Sequence, residues 1–303
     1  MSSASVSRVR SAISVAAFRR IAIVVVAMLV VIVATGATVR LTASGLGCQH
    51  WPGCQGTQFL PAKGYHSYVE FSNRIVAFFT VLGTLVLAVY ATLTAELTRR
   101  TKTLAWLVFA GTFGQAPLGA ITVYYDLNPW LVLTHLLLSL LVLGVGVIVL
   151  LEATRTLRGG APALPLPARA GGAVLLAAVS VLVVTGTFAT AAGPHPGSVA
   201  VRRLGSFQPA ISLHVRATAV FGIVFLVLAA WAWRKRARYV WLPRACAGLL
   251  VLLLAQMAVG EIQYRTKLPW WLVLIHVTAA ACVFAWTAGL VARLWRPLEP
   301  DRT

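Results

Sequence analysis

The stretch Trp130-Leu-Val-Leu-Thr-His135 recurs as Trp271-Leu-Val-Leu-Ile-His276, and five of the six positions are identical. The two copies lie 141 residues apart, and the same offset places Gln115 on Gln256. A repeat of this kind indicates that one half of the chain copies the other. Each copy keeps a histidine inside an apolar run, where an ionisable side chain is costly and is usually retained for a function. The repeat therefore predicts two related halves, each with a buried histidine.

The composition is typical of an integral membrane protein. Of the 303 residues, 59% are hydrophobic and only 11% are charged. A hydrocarbon core of about 30 Å requires apolar runs of about 20 residues. The sequence predicts eight such helices, at roughly 21–42, 71–95, 104–125, 131–151, 171–192, 211–233, 242–263 and 271–292. The first run is too long for a signal peptide and has no clear small-residue cleavage site, so it is counted as a helix.

The positive charges predict how the helices are oriented. Eighteen of the 26 Lys and Arg residues fall on the face that carries both chain ends, and eight fall on the opposite face. Because short cytoplasmic loops are enriched in Lys and Arg, both termini are expected in the cytoplasm of a multi-pass cell-membrane protein. The same rule accounts for the net charge of +19, so nucleic-acid binding is excluded.

The longest of the connections on the cytoplasmic face divides the chain. Residues 159–167 contain two Gly and three Pro, a composition typical of a linker. The predicted halves are 1–158 and 168–303. Since each half has an even number of helices, both have the same orientation, and the predicted fold is all-α, with two parallel four-helix-bundle repeats.

The second half contains two histidines at matched depth. His214 is expected just inside the outer end of helix 6, and His276 about five residues into helix 8. Two imidazoles in one bundle are typical of axial ligands to a haem iron. Zinc is disfavoured because the sequence offers no third or fourth ligand at that level.

The first half departs from this pattern. His135 corresponds to His276, but Asn73 stands where the second half has His214, and an amide is a poor ligand for haem iron. His66 is an alternative ligand. On a continuous helix it would lie about 10 Å further out than Asn73, so it could bind the iron only if the helix began late or the haem sat higher.

Glu70 shares a helix face with His66 and Asn73, because it lies four residues after the first and three before the second. A carboxylate at this position is a candidate general base. An ion pair with Arg74, four residues further on, is the simpler alternative. Asp126 and Glu261 have weaker claims.

Two cysteines, Cys48 and Cys54, bracket a turn in the first outer loop. Their spacing, the oxidising face and the turn residues predict a disulfide, with a labile redox role on an exposed segment as a further option. Cys246 and Cys282 fall inside predicted helices and are expected to be packing residues. His50 and His195 lie in outer loops beside Pro and Gly and are expected to be solvated.

Together these residues resemble the haem A synthase family over nearly the whole chain. The most specific stretches are Gly36-Ala-Thr-Val-Arg-Leu-Thr-Ala-Ser-Gly-Leu-Gly-Cys48, Trp51-Pro-Gly-Cys54 and Glu70-Phe-Ser-Asn-Arg74. The last is similar to the family's Glu-x-x-His-Arg, with Asn73 in place of the histidine, as in an actinobacterial-like member. Some members also carry a cysteine pair in the later outer loop, which this chain lacks.

The resemblance implies an enzyme that oxidises a methyl group of haem O to the formyl group of haem A for terminal oxidases. It implies a haem b held by His214 and His276, and a substrate-haem site containing His135, Asn73, His66 and Arg74, with Glu70 as the functional carboxylate. The haem sites would lie toward the outer face. The implied partners are haem O, the enzyme that produces it, membrane lipid and an electron acceptor, and oligomerisation is left open.

Two other functions fit parts of the sequence. A bis-histidine b-type cytochrome that only carries electrons explains His214 and His276 equally well, but gives Glu70 no role. A transporter built on parallel repeats is disfavoured, since no pair of Gly/Pro-broken helices occupies corresponding positions.

Overall fold

The computed structural model describes residues 13–48, 50–56, 59–61, 64–198, 201 and 203–298. Within these residues the chain forms eight α-helices, all long and apolar enough to cross a membrane. They are α1 (Val15–Leu41), α2 (Tyr65–Leu93), α3 (Arg99–Tyr124), α4 (Pro129–Arg158), α5 (Leu166–Ala192), α6 (Phe207–Arg234), α7 (Trp241–Arg265) and α8 (Trp270–Trp295). The predicted all-α membrane fold is confirmed. Of the charges used for orientation, Arg8, Arg10, Lys63, Arg202 and Arg302 lie outside the described residues.

The helices extend beyond their apolar runs because polar residues cap or continue them. Ser14 precedes α1, and its Oγ accepts a hydrogen bond from the Ala17 backbone N–H at 3.2 Å. Asn128 caps α4 in the same way, through the Trp130 N–H at 3.0 Å. Such caps satisfy backbone donors that the first turn of a helix leaves unpaired. The apolar pattern alone therefore places several ends too far inside.

Each half is a ring of four helices. In the first half α1 packs on α2 and α4, and α3 packs on α2 and α4; in the second half α5, α6, α7 and α8 are connected in the same order. Among the described residues the diagonal helices, α2 with α4 and α6 with α8, have no direct backbone packing. In the second half, side chains from the diagonal helices α6 and α8 face each other across the centre of the ring.

The two rings meet along α4 and α8, flanked by α1 and α5. Gly144 on α4 faces Phe284, and Gly289 on α8 faces Val147; a Cβ at either glycine would lie 3.1 Å from the facing side chain. Small residues let membrane helices approach closely where no water is available to drive association. The same contact made in both directions agrees with two parallel repeats about an axis between α4 and α8.

One end of the molecule, here called the disulfide side, carries the connections 42–64, 125–128, 193–206 and 266–269. These connections contact one another across the halves. The Gly45 N–H donates to the Gly197 carbonyl at 3.0 Å, and Leu127 lies against both glycines. His195 Nε2 lies 2.8 Å from the Leu268 carbonyl oxygen. His195 is therefore held in place by the next connection, and the expectation of a simply solvated residue is wrong for it.

The opposite end, here called the linker side, is joined by a buried carboxylate. Glu152 on α4 is 5% exposed and pairs with Arg100 at 2.8 Å and with Arg296, just after α8, at 2.5 Å. The Gly160 backbone pairs with Leu298 in an isolated bridge. These contacts tie the linker and the residues after α8 to the first half.

Candidate functional site

The second ring holds a pair of facing histidines. His214 is the eighth residue of α6 and His276 the seventh of α8, so both enter from the disulfide side at matched depth. Their ring centroids lie 6.4 Å apart, with the planes at 80°. With metal–nitrogen bonds of about 2 Å, two imidazoles on one iron have centroids about 6 Å apart. The pair therefore fits a single haem iron between the rings.

Glycines on the adjacent helices leave room for these two imidazoles. A Cβ at Gly186 on α5 would lie 3.0 Å from His214 Cε1, and one at Gly260 on α7 would lie 3.1 Å from His276 Cε1. Such distances are tighter than ordinary contacts, so a larger side chain would displace each ring. The glycines thus allow the imidazoles to pack against the neighbouring helices, which keeps the centre of the bundle free.

Hydrogen bonds fix the helices around this pair. Thr185 Oγ1 lies 3.3 Å from His214 Nδ1, and Gln256 Nε2 donates to the His276 carbonyl at 2.8 Å. His276 Nδ1 is buried without a hydrogen-bond partner among the described residues. A hydrogen-bond partner on Nδ1 is the usual way to orient a histidine whose Nε2 binds a metal. Thr185 provides such a partner for His214.

The first ring repeats half of this arrangement. His135 is the seventh residue of α4, and a Cβ at Gly119 on α3 would lie 3.6 Å from its Cε1. Gln115 Nε2 donates to the His135 carbonyl at 3.4 Å and to Ser139 Oγ at 3.1 Å. The α3–α4 pair thus surrounds His135 as the α7–α8 pair surrounds His276.

The other half of the arrangement is altered at Asn73 on α2. Thr35 Oγ1 on α1 donates to Asn73 Oδ1 at 2.7 Å. This contact is the counterpart of the one between Thr185 and His214. The carboxamide oxygen is therefore engaged by α1, and the first ring places one imidazole, from His135, at this level.

His66 does not lie at the depth of Asn73. It is the second residue of α2, which runs without a break from Tyr65, and its Nδ1 lies 3.0 Å from Ser44 Oγ. Seven residues of helix separate it from Asn73 by about 10 Å. Since the helix does not begin late, that condition for His66 to reach the same iron level is not met.

Glu70 is buried at the edge of the first ring, with 5% of its surface exposed. One carboxylate oxygen accepts from Arg74 Nη2 at 2.5 Å, and the other accepts from the Cys48 backbone N–H at 2.8 Å. The ion pair expected as the simpler alternative is therefore present. Glu70 also joins the disulfide loop to α2, a contact that the sequence pattern does not reveal.

Arg74 is committed to the same loop. Its guanidinium donates to the His50 carbonyl at 2.6 Å, to the Gly53 carbonyl and to Glu70. His50 itself is exposed, as expected for a solvated loop residue. Arg74 therefore orders the loop above the first ring, and the loop and Glu70 engage its guanidinium.

The predicted disulfide between Cys48 and Cys54 is confirmed. Both cysteines are 0% exposed and pack with Phe71 on α2, which Phe59 covers edge-on at 5.7 Å between ring centroids. The loop folds both sulfur atoms inward, so the segment does not expose them, and the optional redox role of this pair stays a prediction. Gly47 permits this approach, since a Cβ there would lie 2.5 Å from the His66 carbonyl oxygen.

The remaining sequence candidates lie elsewhere. Glu261 pairs with Arg265 at 2.5 Å on an exposed helix end, and Asp126 is exposed in the α3–α4 connection with a positive φ of 49°. Cys246 is buried within the helical core and Cys282 is half-buried, so their interpretation as packing residues is consistent with their positions.

Sequence reasoning missed the threonine contacts and Glu152. Thr35-Gly36 and Thr185-Gly186 form a repeated pair 150 residues apart, an offset different from 141 because the α1–α2 connection is nine residues longer than the α5–α6 connection. A search that allowed offsets to change between helices would have found this pair. Glu152 has no counterpart in the repeat, since Arg293 stands 141 residues later.

The fold and the facing imidazoles define a class of multi-pass helical membrane proteins with a histidine pair suited to a haem iron. Residues 19–288 match the COX15-CtaA family, described as cytochrome oxidase assembly protein. The chain belongs to this family, and its resemblance to the haem A synthases is confirmed.

Individual relatives agree over part of their length. The chain is 32% identical over 131 residues to a heme A synthase of Geobacillus kaustophilus, covering 42% of this chain and 40% of the relative. It is 31% identical over 135 residues to that of Geobacillus thermodenitrificans, covering 44% and 41%. It is 35% identical over 120 residues to that of Bacillus licheniformis, covering 39% of each. The matched segments thus span about two fifths of these relatives.

Proposed function

We propose that the protein is a haem A synthase, which oxidises the methyl group of haem O to the formyl group of haem A for terminal oxidases. The single observation that carries this proposal is the difference between the two rings. The second ring has two imidazoles with centroids 6.4 Å apart, and the first has His135 opposite Asn73. One ring fits a retained cofactor, and the other fits a haem bound as substrate.

His214 and His276 would hold a haem b between their imidazoles. Bound there, the group would supply one-electron transfer within the membrane. The protein's own contribution is to hold both imidazoles. Gly186 and Gly260 leave room for them, and Thr185 orients His214. With the positions fixed by packing, each imidazole keeps one orientation toward the iron.

His135 would bind the iron of the substrate haem in the first half, and Asn73 would line the opposite face without ligating it. An iron with one protein ligand and an open face suits oxygen chemistry. His66 and Arg74 would act at the entrance of this site, where they contact Ser44 and the disulfide loop. Converting a methyl to a formyl group removes electrons and adds an oxygen atom, so an electron acceptor is required as a partner.

Glu70 would be the catalytic carboxylate. Arg74 and the Cys48 N–H fix its two oxygens at the disulfide-side end of the first ring. In this position it would accept protons released as the methyl group is oxidised. The disulfide between Cys48 and Cys54 would hold the loop that supplies one of these hydrogen bonds.

The proposed topology places both termini in the cytoplasm and the haem sites toward the outer face of the cell membrane. The positive-inside rule supports it, because the Lys- and Arg-rich connections lie on the linker side. The proposed halves are residues 1–158 and 168–303, joined by the linker at 159–167. Haem O would come from the enzyme that makes it.

The test is expression of this protein in cells that make haem O but lack a haem A synthase. Extraction and chromatography of the haems should show haem A in these cells and only haem O in cells with an empty vector. Persistent absence of haem A, with the protein present in the membrane and carrying haem, would refute the proposed reaction.

One observation favours a second candidate, a b-type cytochrome that only carries electrons. Both oxygens of Glu70 are engaged in holding the disulfide loop, which gives this residue a structural role without catalysis. Glu70→Gln separates the two functions, because it keeps an oxygen that accepts from Cys48 but removes the carboxylate. The enzyme predicts lost haem A with an intact b-type spectrum, and the carrier predicts no change in either.

A further inference from the structure

Arg40 is a cation that crosses between the two halves. It is the penultimate residue of α1, and its Nη2 donates to the Thr190 carbonyl on α5 at 2.5 Å. Its Nε is buried and has no hydrogen-bond partner in the part of the chain that the structure describes. Among the described residues no carboxylate pairs with it: on the disulfide side Glu70 and Glu261 pair with their own arginines, and Asp126, which precedes Leu127, is exposed and forms no ion pair with Arg40.

A cavity of about 20 Å³ lies beside this side chain, between the halves. Its lining includes Arg40, Leu127, Val132, Leu136, Thr187 and Pro196. A space of this size holds about one water-sized polar group. Apart from the arginine and Thr187, these side chains are apolar, so they offer the guanidinium no acceptor.

The cavity lies between the two histidine sites. Leu136 directly follows His135 on α4, and Thr187 directly follows Gly186, which contacts the His214 ring. Arg40 therefore lies at the disulfide-side edge of both four-helix rings. A planar ligand held at either histidine level would have its periphery near this guanidinium.

A cation in this setting requires negative charge. The carbonyl ends of α1 and α5 supply part of it, since each helix C-terminus carries about half a negative charge. They leave the Nε–H without an acceptor, and an unsatisfied buried donor is costly. Haem carries two propionate side chains, and arginine pairs with carboxylates through charge-assisted, often bidentate hydrogen bonds.

We propose that Arg40 binds a propionate carboxylate of a haem, held either at His135 or at the His214–His276 pair. The proposal rests on the proposed function, because it requires a haem in at least one ring. This contact fixes how the haem is rotated within its own plane. Bonds from histidines to the iron do not determine that rotation.

The test compares the binding of haem b with that of its dimethyl ester, which keeps the iron and the ring but has neutral propionate esters. Apoprotein in detergent is titrated with each, and the Soret band is followed. For Arg40→Ala we expect roughly 10- to 100-fold weaker binding of the free acid, the size of a lost charged hydrogen bond. Binding of the ester should change far less, and this difference between the ligands isolates the carboxylate contact.

Arg265→Ala is the matched control, because Arg265 lies on the same side but is exposed and paired with Glu261. It should leave the ratio of acid to ester affinity unchanged. Arg40→Lys should retain part of the preference for the acid, because it keeps the charge without the planar fork. It also serves as the test variant if Arg40→Ala does not fold.

Two further backgrounds assign the haem. His135→Ala leaves the second ring as the histidine site, and His276→Ala leaves the first. A preference for the free acid that depends on Arg40 in either background supports the proposal and identifies the ring. Equal losses for acid and ester, or no loss in both backgrounds, overturn it. Failure of the wild-type protein to bind haem through histidine would instead refute the proposed function.

Discussion

The two rings differ most clearly at one pair of helices. In the second half, Thr185 on α5 lies 3.3 Å from His214 Nδ1 on α6; in the first, Thr35 on α1 lies 2.7 Å from Asn73 Oδ1 on α2. The threonine is kept, and its partner is changed. The scaffold that would orient a ligand is thus present twice, but only one copy presents a second imidazole.

The surroundings change along with that partner. The first ring is covered by the disulfide loop, which Glu70 and Arg74 attach to α2. The second ring has no cysteine pair in its corresponding connection, 193–206. The comparison teaches that an internal repeat can keep its packing and still separate two roles: the side chains at the ring centre and the cover above it decide what each half does.

The largest expected effect is the loss of haem from the second ring. His214→Ala or His276→Ala removes one of two ligands from a site built around both, so nearly all b-type haem should be lost. Haem content per protein and the low-spin optical spectrum measure it. His50→Ala removes an exposed ring and should change neither. Wild-type haem content in both ligand variants would contradict the assignment.

The next effect comes from making the first ring resemble the second. Asn73→His places an imidazole where Thr35 can contact it, so a haem bound at His135 should become six-coordinate. Haem A formation should be retained, because histidine at this position is the residue of the family's motif, and a second low-spin signal should appear by electron paramagnetic resonance. Asn73→Gln keeps the amide and serves as the control. An unchanged spectrum with haem bound at His135 would show that the two positions are not equivalent.

A smaller effect should follow removal of the disulfide, and only in the first ring. Closing a loop of this length contributes about 2 kcal/mol. In the double variant Cys48→Ser, Cys54→Ser the loop should loosen its hold on Glu70, so haem A formation falls several-fold. The b-type spectrum of the second ring should stay unchanged. Cys282→Ala removes a cysteine elsewhere and should leave both readouts as in the wild type.

The smallest effect is expected from substitution of the glycines that lie against the two imidazoles. Gly186→Ala and Gly260→Ala place a Cβ 3.0 and 3.1 Å from a histidine carbon, so each ring must shift by a few tenths of an ångström. Haem affinity should fall by about tenfold, the lower range for groups that position a ligand. Gly36→Ala is the matched control, since a Cβ there would meet no atom within 4 Å apart from its chain neighbours and the backbone of its own helix. An equal loss at Gly36 would refute a role in ring placement.

Much of the fold could be predicted because the membrane restricts the choices. Apolar length identified eight helices, and the 141-residue offset identified the repeat and the equivalence of His135 with His276. Helix ends were less predictable, since capping groups such as Ser14 lie outside the apolar pattern. The threonine pair escaped because its offset differs from that of the histidines.

The sequence by itself determined the membrane class, the repeat and the identity of the half-buried histidines within the helices, because hydrophobic length, periodicity and residue type are properties of the chain. Only the tertiary structure decided that His214 and His276 face each other, that Glu70 contacts Cys48 and that Arg40 reaches α5. Each of these joins segments that are distant in sequence. Their geometry depends on how helices pack and connections fold, so spacing along the chain cannot specify it.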